Sequence, residues 1–360
     1  MANGVVTIPL PGQLLADDGL SQDGLRRSTA LEFFAGPENC LIEPAVSGIL
    51  GRQPSPYNPL VLYGPSGTGK SHLARGLAAT WKLNFPQSRV AYTTAVDFAR
   101  NMAEAFETQA VEDFRAVYRG ASLAVFEDVA ELAPKPAAQG ELICTLDAVL
   151  QRGGQVVVTS SSAPHDLAEF LPALRSRLSA GLCVPLALPG PDTRLAILQR
   201  WSNLREVEMA DSILKLLAEG LAGTVPELLG AMLQLAVPAR QEGRTIDARV
   251  IRDYLSQRDS TLRPKLRDIA AATARHFTLR LGDLRGPSRR RPLVAARDVA
   301  IYLCRQLTRE SLGRIGEYFG GRDHTTILHA CRKTGELLQA DPAIRQAIDQ
   351  LQRKFPGAGK

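Results

Sequence analysis

The chain has 360 residues, of which 45% are hydrophobic and 22% are charged; this length predicts two or three domains, and the composition excludes wholly disordered, collagen-like and low-complexity chains. The net charge of +6 is unevenly spread, since residues 262–360 hold 20 Lys and Arg against 9 Asp and Glu, whereas residues 1–261 hold 23 against 28. A basic C-terminal part favours a polyanionic partner, most often nucleic acid and sometimes an anionic membrane surface, although a solvated basic surface has the same composition.

No apolar run approaches the roughly 20 residues that a membrane-spanning helix needs, and residues 1–28 lack the pattern of a signal peptide. These observations predict a cytoplasmic protein. Five cysteines lie far apart without a CxxC pair, a spacing that argues against a zinc site or a disulfide framework and predicts reduced thiols. They are Cys40, Cys144, Cys183, Cys304 and Cys331.

Short β-rich runs alternate with helical patterns through the first half of the chain. The runs cover residues 60–63, 89–94, 122–126, 155–160 and 181–186. This alternation predicts a five-stranded parallel sheet covered by helices on both faces. After Pro189 the apolar spacing is helical only. The expected domains are a short N-terminal tail over 1–28, an α/β domain over 29–189, a helical lid over 190–247, a linker helix over 248–267 and a basic all-helical domain over 268–360.

A phosphate-binding loop is the strongest local motif. Residues 64–71 read GPSGTGKS, which matches GxxxxGK[ST] between an apolar strand and a helix. The glycines allow a sharp turn that points backbone N–H groups at phosphate, Lys70 is expected to reach the β and γ phosphates, and Ser71 is expected to ligate Mg²⁺. The motif therefore predicts ATP or ADP with Mg²⁺ as ligands. The expected binding residues are Gly64, Gly67, Thr68, Gly69, Lys70 and Ser71.

An acidic pair follows one predicted strand, and two arginines precede another. Glu127 and Asp128 end the run 122–126, where an acidic pair would hold the metal ion with Ser71 and polarise water. Arg175 and Arg177 stand just before the last strand, where an arginine can project onto the γ phosphate of a neighbouring protomer. A single arginine in this position is more often an ordinary surface charge.

The basic C-terminal part contains a helix-turn-helix pattern. Residues 311–319 have helical apolar spacing, two glycines break it, and residues 322–333 resume as a second helix, whose exposed start would enter the major groove of duplex DNA. The expected base-reading residues are Arg322, Asp323, His324, Thr325 and Thr326. Upstream, Arg289, Arg290 and Arg291 lie in a turn suited to phosphates or to a minor groove.

These motifs together resemble those of DnaA, the bacterial family of chromosomal replication initiators, from about residue 31 to the C-terminus. The most specific stretch is GGRDHTTILHACRK at 320–333, supported by YNPLVLYG, VEDFRAVYRG and LRSRLSAGL. The resemblance implies an AAA+ P-loop ATPase domain with a helical lid and a C-terminal helix-turn-helix domain. It also implies binding to repeated double-stranded sites at the replication origin, self-oligomerisation on them and unwinding of an AT-rich element.

The same resemblance implies roles for individual residues. Glu127 and Asp128 would form the Walker B pair and Arg177 the arginine finger. Arg289 would enter the minor groove, and residues 322–326 would read the major groove. Single-stranded origin DNA and acidic phospholipids are further partners that the resemblance implies, as is association with the nucleoid.

The chain departs from the DnaA pattern at three positions near the nucleotide. Glu127 stands where the first of two aspartates is usual, Ser161 where an aspartate is expected, and Pro226 where a lid arginine is expected. These departures predict that nucleotide binding persists while hydrolysis is slow. The family's N-terminal helicase-recruiting domain has no counterpart in these residues, which leaves the contact with helicase open.

Two other functions remain open at this point. A DnaA-derived regulator of transcription or replication would bind similar sites without opening an origin. An ATP-driven transcription activator with a C-terminal helix-turn-helix is less favoured, because the sequence has no GAFTGA-like loop for contacting polymerase.

Overall fold

The computed structural model describes residues 4–10, 31–51, 57–205, 207, 209–262, 264–308, 310–352 and 354–355. The chain divides into two compact units between Ile251 and Arg252. In the ranges described, no helix is both long enough and apolar enough to cross a lipid bilayer.

The first unit opens with an antiparallel pair of strands. Strand β1, Val6–Leu10, pairs with β2, Leu31–Ala35. The sequence predicts a tail over 1–28, and the structure corrects this for residues 6–10. Ile8 and Leu10 alternate with exposed residues and are buried, and Leu10 packs closely on Gly76. Burial of this apolar face holds the strand in place.

The predicted five-stranded parallel sheet is present. Its strands in chain order are β3, Leu60–Tyr63; β4, Val90–Thr94; β5, Leu123–Glu127; β6, Gln155–Ser160; and β7, Leu182–Pro185. They lie in the order β4-β5-β6-β3-β7, and every pairing is parallel. Successive residues of β5 enter different cores, Leu123 on one face and Ala124 on the other. Strands buried on both faces explain the continuous apolar runs of the sequence.

Helices cover this sheet and then form the lid. Those associated with the sheet are α1, Ile42–Leu50; α2, Lys70–Asn84; α3, Ala95–Glu107; α4, Val111–Arg119; α5, Pro136–Gln151; and α6, Pro172–Ser179. The lid consists of α7, Pro191–Arg205; α8, Asp211–Gly220; and α9, Val225–Glu242. Helix α10, Ala248–Leu262, contains the division between the two units.

The second unit is helical throughout its described residues. Its helices are α11, Leu266–His276; α12, Leu281–Arg285; α13, Arg291–Leu307; α14, Leu312–Tyr318; α15, His324–Ala340; and α16, Pro342–Gln352. Ile269, Ala300, Ile315 and Ile327 belong to one apolar core that joins four of them. The turn between α14 and α15 uses Gly320 and Gly321 with φ of 91° and 71°, a conformation that favours glycine, so the predicted helix-turn-helix is formed.

Candidate nucleotide-binding and DNA-binding sites

The phosphate-binding loop connects β3 directly to α2. Gly64 follows β3 with φ of 148°, and a Cβ atom there would lie 2.3 Å from the carbonyl oxygen of Leu186. Only glycine therefore fits at the start of the loop. Helix α2 begins at Lys70, directly after the loop, so its first N–H groups have no acceptor within the helix. This geometry provides the backbone donors and the helix N-terminus that anionic ligands prefer.

Lys70 is buried inside the loop, with only 7% of its surface exposed. Its Nζ donates hydrogen bonds to the carbonyl oxygens of Gly64, at 2.7 Å, and of Pro65, at 2.8 Å. Burial lowers the pKa of Lys70, and the nearby carboxylate of Asp128 opposes that shift. The loop thus holds one ammonium group in a fixed place.

A cavity of about 630 Å³ adjoins the loop and lies between residues of the sheet and of the lid. Its polar lining comes mainly from the loop and the ends of the strands, with Asp128, Glu131 and Ser161. Its apolar lining comes from β2 and the lid. The apolar lining residues include Phe33, Phe34, Ile197, Trp201, Leu204 and Leu229. One cavity therefore combines a phosphate-binding end with surfaces suited to a planar organic group.

Several lining residues belong to no sequence motif, among them Glu32 on β2 and Arg200 and Trp201 on α7. On α7 the spacing of Ile197, Trp201 and Leu204 at intervals of four and three marks one helix face. That spacing is a signal for a shared face, but it does not reveal which surface the face contacts.

The two acids at the end of β5 are placed differently. Asp128 is exposed to the cavity, and its backbone N–H donates to Oγ1 of Thr159 at 2.9 Å. Glu127 is buried and is not among the described lining residues. Its carboxylate accepts a hydrogen bond from the hydroxyl of Tyr92, and Nε of Arg75 lies 3.9 Å away. Of the predicted metal ligands, the structure brings Ser71 and Asp128 to the cavity but not Glu127.

Arg177 lies on α6 and does not line the cavity in the part of the chain described. Its Nε and Nη2 donate to Oδ1 and Oδ2 of Asp147 on α5, both at 2.7 Å. This bidentate contact raises the pKa of Arg177 and lowers that of Asp147. The guanidinium is about one-third exposed, so it lies at the surface of its own unit.

The DNA-reading candidates in the second unit fall into two groups. Helix α15 begins at His324, and residues 323–326 are exposed, with Nδ1 of His324 lying 2.9 Å from Oδ1 of Asp323. Arg322 is partly buried, and its Nη2 donates to the carbonyl oxygen of Gly286 at 2.7 Å. The structure therefore groups Arg322 with the upstream turn rather than with the exposed helix start.

The buried side chain of Arg297 stabilises that upstream turn, a role that no sequence motif indicated. It is 5% exposed and donates to the carbonyl oxygens of four residues at 2.7–3.2 Å. These are Asp283, Leu284, Gly286 and Ser288. Burial lowers the pKa of Arg297, and the charge of Arg322 adds to this effect. The exposed residues 289–291 follow directly, so a buried arginine fixes the base of the basic turn.

Two family models match this chain. The bacterial DnaA ATPase domain matches residues 25–185, and the bacterial DnaA helix-turn-helix matches residues 266–334. A chromosomal replication initiator protein DnaA from Geobacter sp. (strain M21) is 31% identical over 328 residues, covering 90% of this chain and 71% of that protein. A protein of the same name from Ruegeria sp. (strain TM1040) is 33% identical over 336 residues, covering 91% and 72%. The chain belongs to the DnaA family.

Solved DnaA structures share the architecture described above. A replication initiator DnaA bound to AMPPCP and single-stranded DNA has a TM-score of 0.56 at 27% identity, covering 89% of this chain and 96% of that one. AMPPCP-bound DnaA from Aquifex aeolicus has a TM-score of 0.55 at 27% identity, covering 90% and 95%. The predicted α/β P-loop AAA+ fold followed by an all-α helix-turn-helix domain is thereby confirmed.

Two of the three departures from the DnaA pattern, Ser161 and Pro226, line the cavity. Pro226 lies in the first turn of α9, where proline is well tolerated because the first N–H groups lack helical acceptors. The backbone N–H of Val225 donates to the carbonyl oxygen of Gly67 at 3.2 Å. The lid therefore contacts the phosphate loop, but α9 offers the ligand an uncharged side chain at residue 226.

Proposed function

We propose that this member of the DnaA family is an ATP-dependent replication initiator. It binds ATP or ADP with Mg²⁺, recognises repeated double-stranded sites at the chromosomal origin, oligomerises on them and promotes unwinding. The observation that carries the proposal is the cavity that joins an intact phosphate loop to apolar walls on β2 and α7. Nucleotide binding by solved DnaA relatives supports the same ligand.

The residues at the polar end of the cavity fit a nucleotide with Mg²⁺. The Ser71 hydroxyl and the Asp128 carboxylate are the oxygen donors that Mg²⁺ prefers, and both line the cavity. Bound Mg²⁺ would neutralise charge on the phosphate chain. Lys70 supplies a fixed cation, and the loop N–H groups supply neutral donors. Of the two strand-end acids, only Asp128 lines the cavity. We therefore expect ATP turnover well below an enzyme median of about 10 s⁻¹.

Self-assembly in this proposal uses Arg177. A guanidinium at the surface, outside the cavity of its own unit, suits a contact with nucleotide held by a neighbouring protomer. Asp147 neutralises Arg177 in the single chain, so assembly would exchange a carboxylate partner for a phosphate. Single-stranded origin DNA is a further proposed partner, supported by the single-stranded DNA that is bound to a related DnaA.

Binding of labelled ATP and ADP to the Lys70→Ala variant tests the nucleotide site. The variant removes the buried ammonium that the loop positions, so we expect affinity to fall at least tenfold, since hydrogen bonds involving charged groups contribute about 1.5–3 kcal/mol. Lys82→Ala is the matched control, because Lys82 lies on the same helix and bonds to Ser88 outside the cavity. Equal binding by Lys70→Ala and the parent would refute this assignment.

A further inference from the structure

An ion pair joins the two walls of the nucleotide cavity. Glu32 belongs to β2 in the sheet wall, Arg200 belongs to α7 in the lid, and both line the cavity. Nε of Arg200 lies 2.5 Å from Oε2 of Glu32, and the side chains are 37% and 25% exposed. Any ligand that fills the cavity therefore meets this pair.

The charges of the lining make Arg200 distinctive. Within the described chain it is the only cationic side chain that the lid contributes to the cavity, whose other lid residues are apolar or proline. The opposite wall carries carboxylates, including Glu32 and Asp128, and one lysine that already bonds to loop carbonyls. A ligand with several phosphate charges consequently has one available positive partner on the lid.

The contact between Arg200 and Glu32 is close but poorly aligned. Nε of Arg200 is buried, and its N–H has no aligned hydrogen-bond acceptor among the residues that the structure describes. The pair is thus held by charge, and a partly exposed pair of this kind stabilises a fold only weakly. Guanidinium binds phosphate with two parallel hydrogen bonds in a fixed geometry. Exchange of the carboxylate for phosphate would therefore give Arg200 a better partner.

We propose that Arg200 is the lid residue that binds the phosphate chain of the nucleotide, and that Glu32 holds its side chain over the cavity until the nucleotide displaces the carboxylate. The inference rests on the proposed nucleotide binding and adds the residue through which the lid contacts the phosphates. Glu32 acts here as a positioning residue that competes with the ligand. Arg200 supplies on α7 the positive charge that α9 lacks at Pro226.

The experiment compares the affinities of Arg200→Ala and Glu32→Gln for ATP, ADP and adenosine in the full chain. Arg200→Ala should weaken ATP binding about tenfold, weaken ADP binding less and leave adenosine binding unchanged, because only phosphate contacts are lost. Glu32→Gln should tighten ATP binding, since it removes the competing carboxylate at nearly constant shape. Arg200→Lys should keep part of the affinity for ATP, because the positive charge remains while the paired hydrogen bonds of the guanidinium are lost.

The proposal requires that Arg200→Ala and Glu32→Gln change the affinity for ATP in opposite directions. If the pair merely ties the lid to β2, both variants should weaken ATP binding, and that result would overturn the proposed role of Arg200. Unchanged affinity for ATP in Arg200→Ala would overturn it as well. Lys215→Ala, which removes an exposed cation from α8, controls for net charge on the lid. Loss of ATP binding by Lys70→Ala with no effect at Arg200 would refute this inference alone and leave the nucleotide site intact.

Discussion

Glu127 and Asp128 are adjacent acids whose surroundings give them different roles. The carboxylate of Glu127 is buried between Tyr92 on β4 and Arg75 on α2, while Asp128 faces the cavity. The additional methylene of glutamate extends the carboxylate towards these partners. Glu127 therefore contributes to packing between three elements, and Asp128 is the acid available to a ligand.

The sequence could indicate an acidic pair at this strand end, but it could not indicate where each carboxylate points. The direction of Glu127 depends on Tyr92 and Arg75, which are 35 and 52 residues away in the chain and meet it only after folding. The same limit applies to Arg322, whose acceptor on Gly286 belongs to another turn. Motifs predict which residue types lie near a site, whereas orientation depends on distant partners.

Replacement of Tyr92 by phenylalanine should destabilise the first unit. The change removes the hydroxyl that donates to buried Glu127, and an unpaired buried polar group costs about 1–3 kcal/mol. Urea denaturation measures the free energy of unfolding. Glu127→Gln should reduce the cost of Tyr92→Phe, because a neutral amide is less costly to leave unpaired than a carboxylate. An equal cost in both backgrounds would show that the hydroxyl does not act through Glu127.

At the scale of elements, the structure agrees with the sequence where burial is continuous along the chain. Strands β3, β5 and β6 are buried along nearly their whole length and contribute residues to the cores on both faces of the sheet, so their composition alone marks them. Strand β1 contains only two buried apolar side chains, and its partner β2 begins 21 residues after it ends, so its pairing follows no local pattern. Pairings between distant segments are set by tertiary packing.

Helix α9 links the lid to the phosphate loop through its capped N-terminus. The Thr224 hydroxyl accepts a hydrogen bond from the N–H of Glu227, and the Glu227 carboxylate accepts one from the N–H of Thr224. Such a capping box satisfies two N–H groups that the helix leaves unpaired. It also fixes the residues next to Gly67, to which the N–H of Val225 donates.

Loss of this cap should lower the stability of the lid. Thr224→Ala removes the hydroxyl acceptor, and replacement of an N-cap threonine by alanine typically costs about 1 kcal/mol. Thermal unfolding of the first unit measures the change. Thr224→Ser keeps the hydroxyl and should retain the stability of the parent, so a loss as large in the serine variant would contradict a capping role.

At the scale of the whole molecule, the two units differ in fold, in net charge and in the site that each contains. The nucleotide cavity lies in the first unit, and the basic turn and the exposed start of α15 lie in the second. The excess of Lys and Arg in residues 262–360 favours long-range attraction of the second unit to a polyanion such as DNA. We therefore expect affinity and sequence discrimination to depend on different residues of that unit.

Two variants of the full chain should separate these contributions to DNA binding. Simultaneous replacement of Arg289, Arg290 and Arg291 by alanine removes exposed charges from the turn, so binding should weaken on all duplexes and the salt dependence should fall by about 0.9 in slope per lost phosphate contact. His324→Ala with Thr325→Ala removes exposed side chains from the start of α15, so discrimination between sites should fall by about 1–3 kcal/mol per lost base contact while the slope stays unchanged.

The measurement is a titration of both variants and the parent with a duplex selected for tight binding by the parent and with its scrambled counterpart, at several salt concentrations. Lys215→Ala controls for the loss of a positive charge in the first unit. The basic turn is held by Arg297 and Arg322, neither of which is altered, so the fold of the second unit should persist in both variants. If the helix-start variant loses affinity equally for both duplexes, α15 does not read sequence, and the second unit binds DNA through charge alone.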